Sequence, residues 1–131
     1  MNDLDIAATQ SSPGIRSDAA AGLLSMSGDS YPENAFELFD PIIRWVEHYL
    51  AQDQRPLRVE LRLLYLNTSS IRAMMEIFDL LEEAHREQRA VEVCWFYDHR
   101  NERVRELAEE FAEDCHFPFQ VLAVEEEEPA Q

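Results

Sequence analysis

Leu57-Arg58-Val59-Glu60-Leu61-Arg62-Leu63-Leu64-Tyr65-Leu66 runs without a break into Asn67-Thr68-Ser69-Ser70-Ile71. The first half alternates Leu57, Val59 and Leu61 against Arg58, Glu60 and Arg62, the period of two that marks a β-strand. The second half is almost wholly apolar, which predicts an inner strand covered on both faces. From Ile71 onward the apolar residues recur as Met74, Met75, Phe78 and Leu81, an amphipathic helix stripe, and the pattern predicts a helix from Ser69 to Gln88. A strand that passes straight into a helix is the first half of a βαβ unit, so this stretch predicts a parallel sheet.

The flanking sequence extends that plan. Thr9 to Ser17 is short and strand-like, broken by Pro13-Gly14 as an edge strand would be. After a turn from Asp18 to Gly22, Leu23 to Gly28 alternates as a second strand, so the two form a hairpin. Phe36, Phe39, Ile43, Val46 and Leu50 then give a helical stripe containing Pro41. Either the helix starts with Asp40 as its cap and Pro41 in its first turn, or a preceding turn is bent there. Downstream, Val91 to Tyr97 reads as a strand rich in β-branched and aromatic residues. Asn101 caps a third helix with the stripe Val104, Leu107, Ala108, Phe111 and Cys115, and Phe119 to Val124 is the last strand. The predicted order is ββαβαβαβ: one α/β domain over 9–124 with three main helices and a mixed, mostly parallel sheet. A flexible N-terminal arm (1–8) precedes it and a disordered acidic tail (125–131) follows.

Composition narrows the function. The chain of 131 residues suits one domain, and no apolar run approaches the roughly 20 residues of a membrane span. No basic segment followed by an apolar run opens the sequence, so a cytosolic protein without a signal peptide is expected, with Cys94 and Cys115 reduced. Net charge is −16, of which Glu125 to Glu128 account for only −4. Nucleic-acid binding needs clustered cations and is disfavoured. All 11 basic residues are arginine, which removes Schiff-base chemistry and P-loop nucleotide binding. The histidines (His48, His85, His99, His116) lack metal-ligand spacing, and no G-x-S-x-G elbow is present. No catalytic set, metal or cofactor is predicted. Asp98-His99-Arg100 resembles a catalytic tripeptide, but a turn between strand and helix uses the same residues.

What remains is the junction itself. Parallel sheets carry their functional loops at the carboxyl ends of the strands, and Thr68, Ser69 and Ser70 stand there, at the positive end of a helix. A phosphate on one of these hydroxyls would be well accommodated. The plainer alternative is that Asn67, Thr68 or Ser69 is only the helix N-cap.

A ββαβαβαβ domain with a hydroxyl residue opening its second main helix resembles the STAS domains of anti-anti-sigma factors. Gly28-Asp29-Ser30-Tyr31-Pro32-Glu33-Asn34, Phe39-Asp40-Pro41-Ile42-Ile43, Tyr65-Leu66-Asn67-Thr68-Ser69-Ser70 and Phe117-Pro118-Phe119 more closely resemble the SiaC family of bacterial regulatory phosphoproteins, over roughly Thr9 to Val124. The resemblance implies a partner-switching module. A cognate serine/threonine kinase phosphorylates Thr68, with Ser69 and Ser70 as lesser candidates. A membrane-bound, metal-dependent phosphatase reverses it. The unphosphorylated protein binds a diguanylate cyclase and promotes cyclic di-GMP synthesis, favouring aggregation or biofilm formation. The partner-binding surface is expected at Tyr65, Asn67, Thr68, Ser69, Ser70 and Arg72. Two other functions fit the residues: an anti-sigma-factor antagonist, and a small-molecule-binding or enzymatic domain using Tyr31, Asp98 and His99.

Overall fold

The structure is a computed structural model that describes residues 2–52 and 54–125. Its elements are β1 (Asp5–Ile6), β2 (Gly14–Asp18), β3 (Leu23–Ser30), α1 (Ala35–Gln52), β4 (Leu57–Leu66), α2 (Thr68–Arg86), β5 (Val91–Asp98), α3 (Glu102–Glu113) and β6 (Phe119–Val124). They build one six-stranded sheet in the order β1-β2-β3-β4-β5-β6. The β1–β2 and β2–β3 pairs are antiparallel and the rest parallel. The expected mixed α/β architecture is therefore present, with one strand more than the sequence announced.

That strand corrects the expected N-terminal arm. Asp5 and Ile6 pair with Arg16 and Ile15. Asp3 ties the segment down further, its Oδ1 accepting hydrogen bonds from the Ala19 backbone N–H at 2.9 Å and from Trp45 Nε1 at 3.2 Å. Two residues of ladder have no readable periodicity; the anchorage comes from partners 9 to 42 positions away. The acidic tail from Glu126 lies outside the described residues.

The three parallel crossovers all step the same way across the sheet, so their right-handedness puts all three helices on one face. That face holds the core: Leu57, Val59, Leu61 and Leu63 of β4 and Val91, Val93 and Trp95 of β5 are buried beneath Ile42, Val46, Met74, Ile77 and Leu81. The opposite face is open, which overturns the expectation that β4 is covered on both sides. It carries Arg58 bonded to Glu60 at 2.7 Å, and Arg62 with its guanidinium 4.4 Å from the Phe96 ring centre. Charges recur on alternate residues of this face because it meets water.

A bulge re-aims the end of β4. Gly28 pairs with Leu63 but Asp29 pairs with Tyr65, so Leu64 is an extra residue. Leu66 consequently turns inward and is buried, while Leu64 and Tyr65 both face out. Gly28 opposite the bulge has φ of +113°, a backbone region open chiefly to glycine. α1 begins before Pro41, with Asn34 Oδ1 accepting from the Glu37 N–H at 3.1 Å, so the alternative with a preceding turn is the one adopted. Its buried face is Phe39, Ile42, Trp45, Val46 and Tyr49; Phe36 is not on it.

Candidate functional site

The β4–α2 junction is built around Asn67. Its backbone is extended, with φ −78° and ψ 174°, and its Oδ1 accepts from the Ser70 N–H at 2.9 Å, capping the helix. The Asn67 N–H donates to the Ser30 carbonyl at 3.0 Å. The Ser30 and Ser70 hydroxyls, both fully buried, share a hydrogen bond of 2.7 Å. Two of these bonds tie the start of α2 to the end of β3, in a place where an unpaired hydroxyl would be costly.

The three adjacent hydroxyls therefore have different fates. Ser70 is interior, its hydroxyl engaged by Ser30 and withdrawn from the surface on which the sequence had placed it. Asn67 is spent on the cap. Thr68, the first residue of α2, and Ser69 after it are exposed. Arg72, one turn on and also exposed, lines a surface cleft between α1 and α2 with Ser69, Asp40 and Phe36.

Exposed aromatic side chains lie on the elements that adjoin this junction. Tyr65 is 51% exposed and meets Tyr31 edge-on, with ring centres 6.0 Å apart. Phe36 is 75% exposed at the start of α1. Sequence reasoning placed Phe36 in the core because it lies three residues before Phe39, in phase with the stripe. It sits one turn past the end of the core, and periodicity carries no signal for where a core stops.

The residues of the catalytic alternative have other partners. Asp98 is bound by Arg100 through Nε at 2.9 Å and Nη2 at 2.6 Å, which holds its carboxyl far below the usual carboxylate range. His99 Nδ1 lies 3.3 Å from the Val124 carbonyl. Tyr31 packs on Tyr65, and among the described residues no hydrogen bond or ring contact joins it to Asp98 or His99. Among those residues, too, no group of His, Cys, Asp and Glu is arranged to hold a metal ion, and no helix is long and apolar enough to cross a membrane.

An exposed hydroxyl on a strand–helix junction, with exposed aromatic side chains on the adjoining elements, is a surface suited to modification and to binding another protein. Residues 6–124 match the model of the SiaC family regulatory phosphoproteins, and the chain belongs to that family. A crystal structure of apo-SiaC from Pseudomonas aeruginosa is 63% identical with a TM-score of 0.90, covering 94% of this chain and 100% of that one. A chain in the crystal structure of the diguanylate cyclase SiaD in complex with its activator SiaC, from the same species, is 65% identical with a TM-score of 0.91, covering 93% of this chain and 100% of that one. An uncharacterised protein of Pseudomonas aeruginosa strain UCBPP-PA14 is 64% identical over 126 residues, 96% of this chain and 100% of its own length.

Proposed function

We propose that this chain is a phosphorylation-controlled adaptor that binds and activates a diguanylate cyclase, and that Thr68 is its switch. A cognate serine/threonine kinase adds the phosphate, a metal-dependent phosphatase removes it, and the protein works in the cytoplasm. The observation that carries the reading is the exposure of Thr68 at the first turn of α2, beside the Tyr31–Tyr65 pair, in a family described as regulatory phosphoproteins. The description of Pseudomonas aeruginosa SiaC as the activator of a diguanylate cyclase supports the choice of partner.

The physics of the switch is electrostatic and steric. Phosphorylation adds about −1.5 to −2 charges at the helix N-terminus. In the free protein the helix end and Arg72 accommodate that charge in contact with water. In a complex the same dianion is desolvated against a surface shaped for a neutral threonine, a penalty of several kcal/mol, on the order of that for other buried unpaired charges. About 1.4 kcal/mol is a factor of ten in affinity, so the penalty is enough for an on/off response.

The test is phosphate mapping by mass spectrometry after incubation with the cognate kinase and ATP. Modification is expected at Thr68 and absent from Thr68→Ala. Undiminished phosphorylation of that variant would assign the switch elsewhere.

A further inference from the structure

Among the described serine, threonine, amide and charged residues, only Ser30 and Ser70 are buried, and they meet each other at the turn that carries Thr68. Space-filling does not require this pairing. Two alanines would occupy nearly the same volume, and an apolar pair can be as stable as a buried hydrogen-bonded one. What the hydroxyl pair adds is direction. A satisfied buried polar contact selects one arrangement of the elements that it joins.

The pair brackets Thr68. The Ser30 carbonyl accepts from the Asn67 N–H at 3.0 Å, and the Ser30 hydroxyl meets that of Ser70 at 2.7 Å. One residue of β3 therefore holds the chain on both sides of Thr68 and Ser69. Ser30 reaches this place through the bulge. The extra residue Leu64 brings it into register with Leu66, where an unbroken ladder would set it opposite Tyr65. The chain beyond Ser30 is held too, since the Tyr31 N–H donates to the Ser11 carbonyl at 2.7 Å. Thr68 is thus displayed on a helical turn pinned to a strand.

Phosphoryl transfer depends chiefly on placing the acceptor oxygen in line with the phosphate, and small misplacements cost large factors in rate. A hydroxyl already set in a helix brings its own geometry to the kinase. We infer that Ser30 and Ser70 are positioning residues for the phosphorylation of Thr68, their hydroxyl pair fixing the first turn of α2 in the orientation that presents the Thr68 hydroxyl to the phosphoryl donor. This role rests on Thr68 being the phosphoacceptor, as proposed above, and names what presents it. The opposite arrangement, in which the turn must open before the kinase acts, has the opposite sign: breaking the pair would then speed phosphorylation.

The test is the steady-state rate of Thr68 phosphorylation by the cognate kinase, with this protein as the varied substrate. Ser30→Ala/Ser70→Ala removes both hydroxyls and leaves neither unpaired. It is expected to lower kcat about tenfold, with KM within about twofold of wild type. Ser30→Ala alone breaks the same bond, is expected to lower kcat in the same direction, and carries the test if the double variant does not fold. Two controls separate geometry from stability. Ser27→Ala removes an exposed hydroxyl of β3, and Ile77→Val trims the buried face of α2 farther along the helix. Both are expected to keep the wild-type kcat. Thermal melts set an assay temperature below the lowest transition. Wild-type or faster turnover without the hydroxyl pair, a loss confined to KM, or an equal loss in either control would overturn the positioning role and leave Thr68 as the switch. No phosphate on Thr68 of the wild-type protein would overturn the switch and the positioning role together.

Discussion

At the scale of single residues, the site depends on the Thr68 and Ser69 hydroxyls being exposed while that of Ser70 is committed to Ser30. Asn67 is the cap, so Thr68→Ala removes no helix-capping bond and is expected to keep both the fold and cyclase affinity. Thr68→Asp puts a carboxylate at a helix N-terminus, which stabilises the fold by about 0.3–1 kcal/mol. The same carboxylate is expected to weaken cyclase binding, less than phosphate does because its charge is smaller. Calorimetric titration together with thermal melts checks the pair: an Asp variant that melts higher yet binds as tightly as wild type would remove Thr68 from the interface. Cys115 gives a second expectation. Burial, followed by the charges of Glu82, Asp114 and Asp79, pushes its thiol up to about 11. Only the thiolate is nucleophilic, and at pH 8 that leaves about one part in a thousand reactive. Labelling by a thiol-reactive disulfide should be much slower than for free cysteine. A rapid burst assigned to Cys115 by peptide mapping would contradict this environment.

At the scale of elements, two contacts join parts of the chain that local pattern leaves unrelated. Gly22 ends the β2–β3 turn with φ of +68°, and its carbonyl accepts from the Arg58 N–H at 2.8 Å at the start of β4. A Cβ there would lie 2.4 Å from the Pro56 carbonyl oxygen and 2.8 Å from the Tyr49 hydroxyl. Gly22→Ala is expected to cost more than the roughly 1–2 kcal/mol of the backbone conformation alone, because the clash is with backbone. Denaturant melts measure it, and an unchanged midpoint would mean the turn repacks freely. Glu82 of α2 holds the turn after α3, its carboxylate accepting from the His116 N–H at 2.9 Å and lying 2.8 Å from His116 Nδ1. The backbone bond from His116 is the first cause lowering its pKa. A lowered folded-state pKa means stability that is fully present above the unfolded value and lost as pH falls through the folded one. Glu82→Gln should therefore melt below wild type near neutral pH, with the gap closing as pH drops below about 4.5. A gap that widens in acid would reverse the assignment.

At the scale of the whole molecule, 27 acidic residues stand against only 11 cations, and all but −4 of the net charge of −16 lies before the acidic tail. Several of those cations are paired on the open sheet face and along α3 (Arg58 with Glu60, Arg105 with Glu102 and Glu109), which leaves much of the negative charge uncompensated. Self-repulsion of this kind is screened by salt. Raising sodium chloride from about 0.05 M to about 0.5 M is expected to raise the melting temperature. A fall would mean that local ion pairs outweigh the net repulsion.

Sequence by itself determined the order of the main elements, the parallel direction of the last four strands and the position of the phosphoacceptor candidate. Each rests on a short-range property: residue alternation in β4, the helical stripe from Ile71, and a hydroxyl cluster between them. Tertiary structure alone decided which hydroxyl is available, because the burial of Ser70 depends on Ser30, 40 residues away. It also decided that Phe36, Tyr65 and Met75 face water. These side chains lie in or beside apolar patterns that look like core. Phe36 lies beyond the end of the core, Tyr65 is turned out by the bulge at Leu64, and Met75 borders a gap between helices. Periodicity records which face of an element is apolar; whether another element covers that face depends on chain distant in sequence.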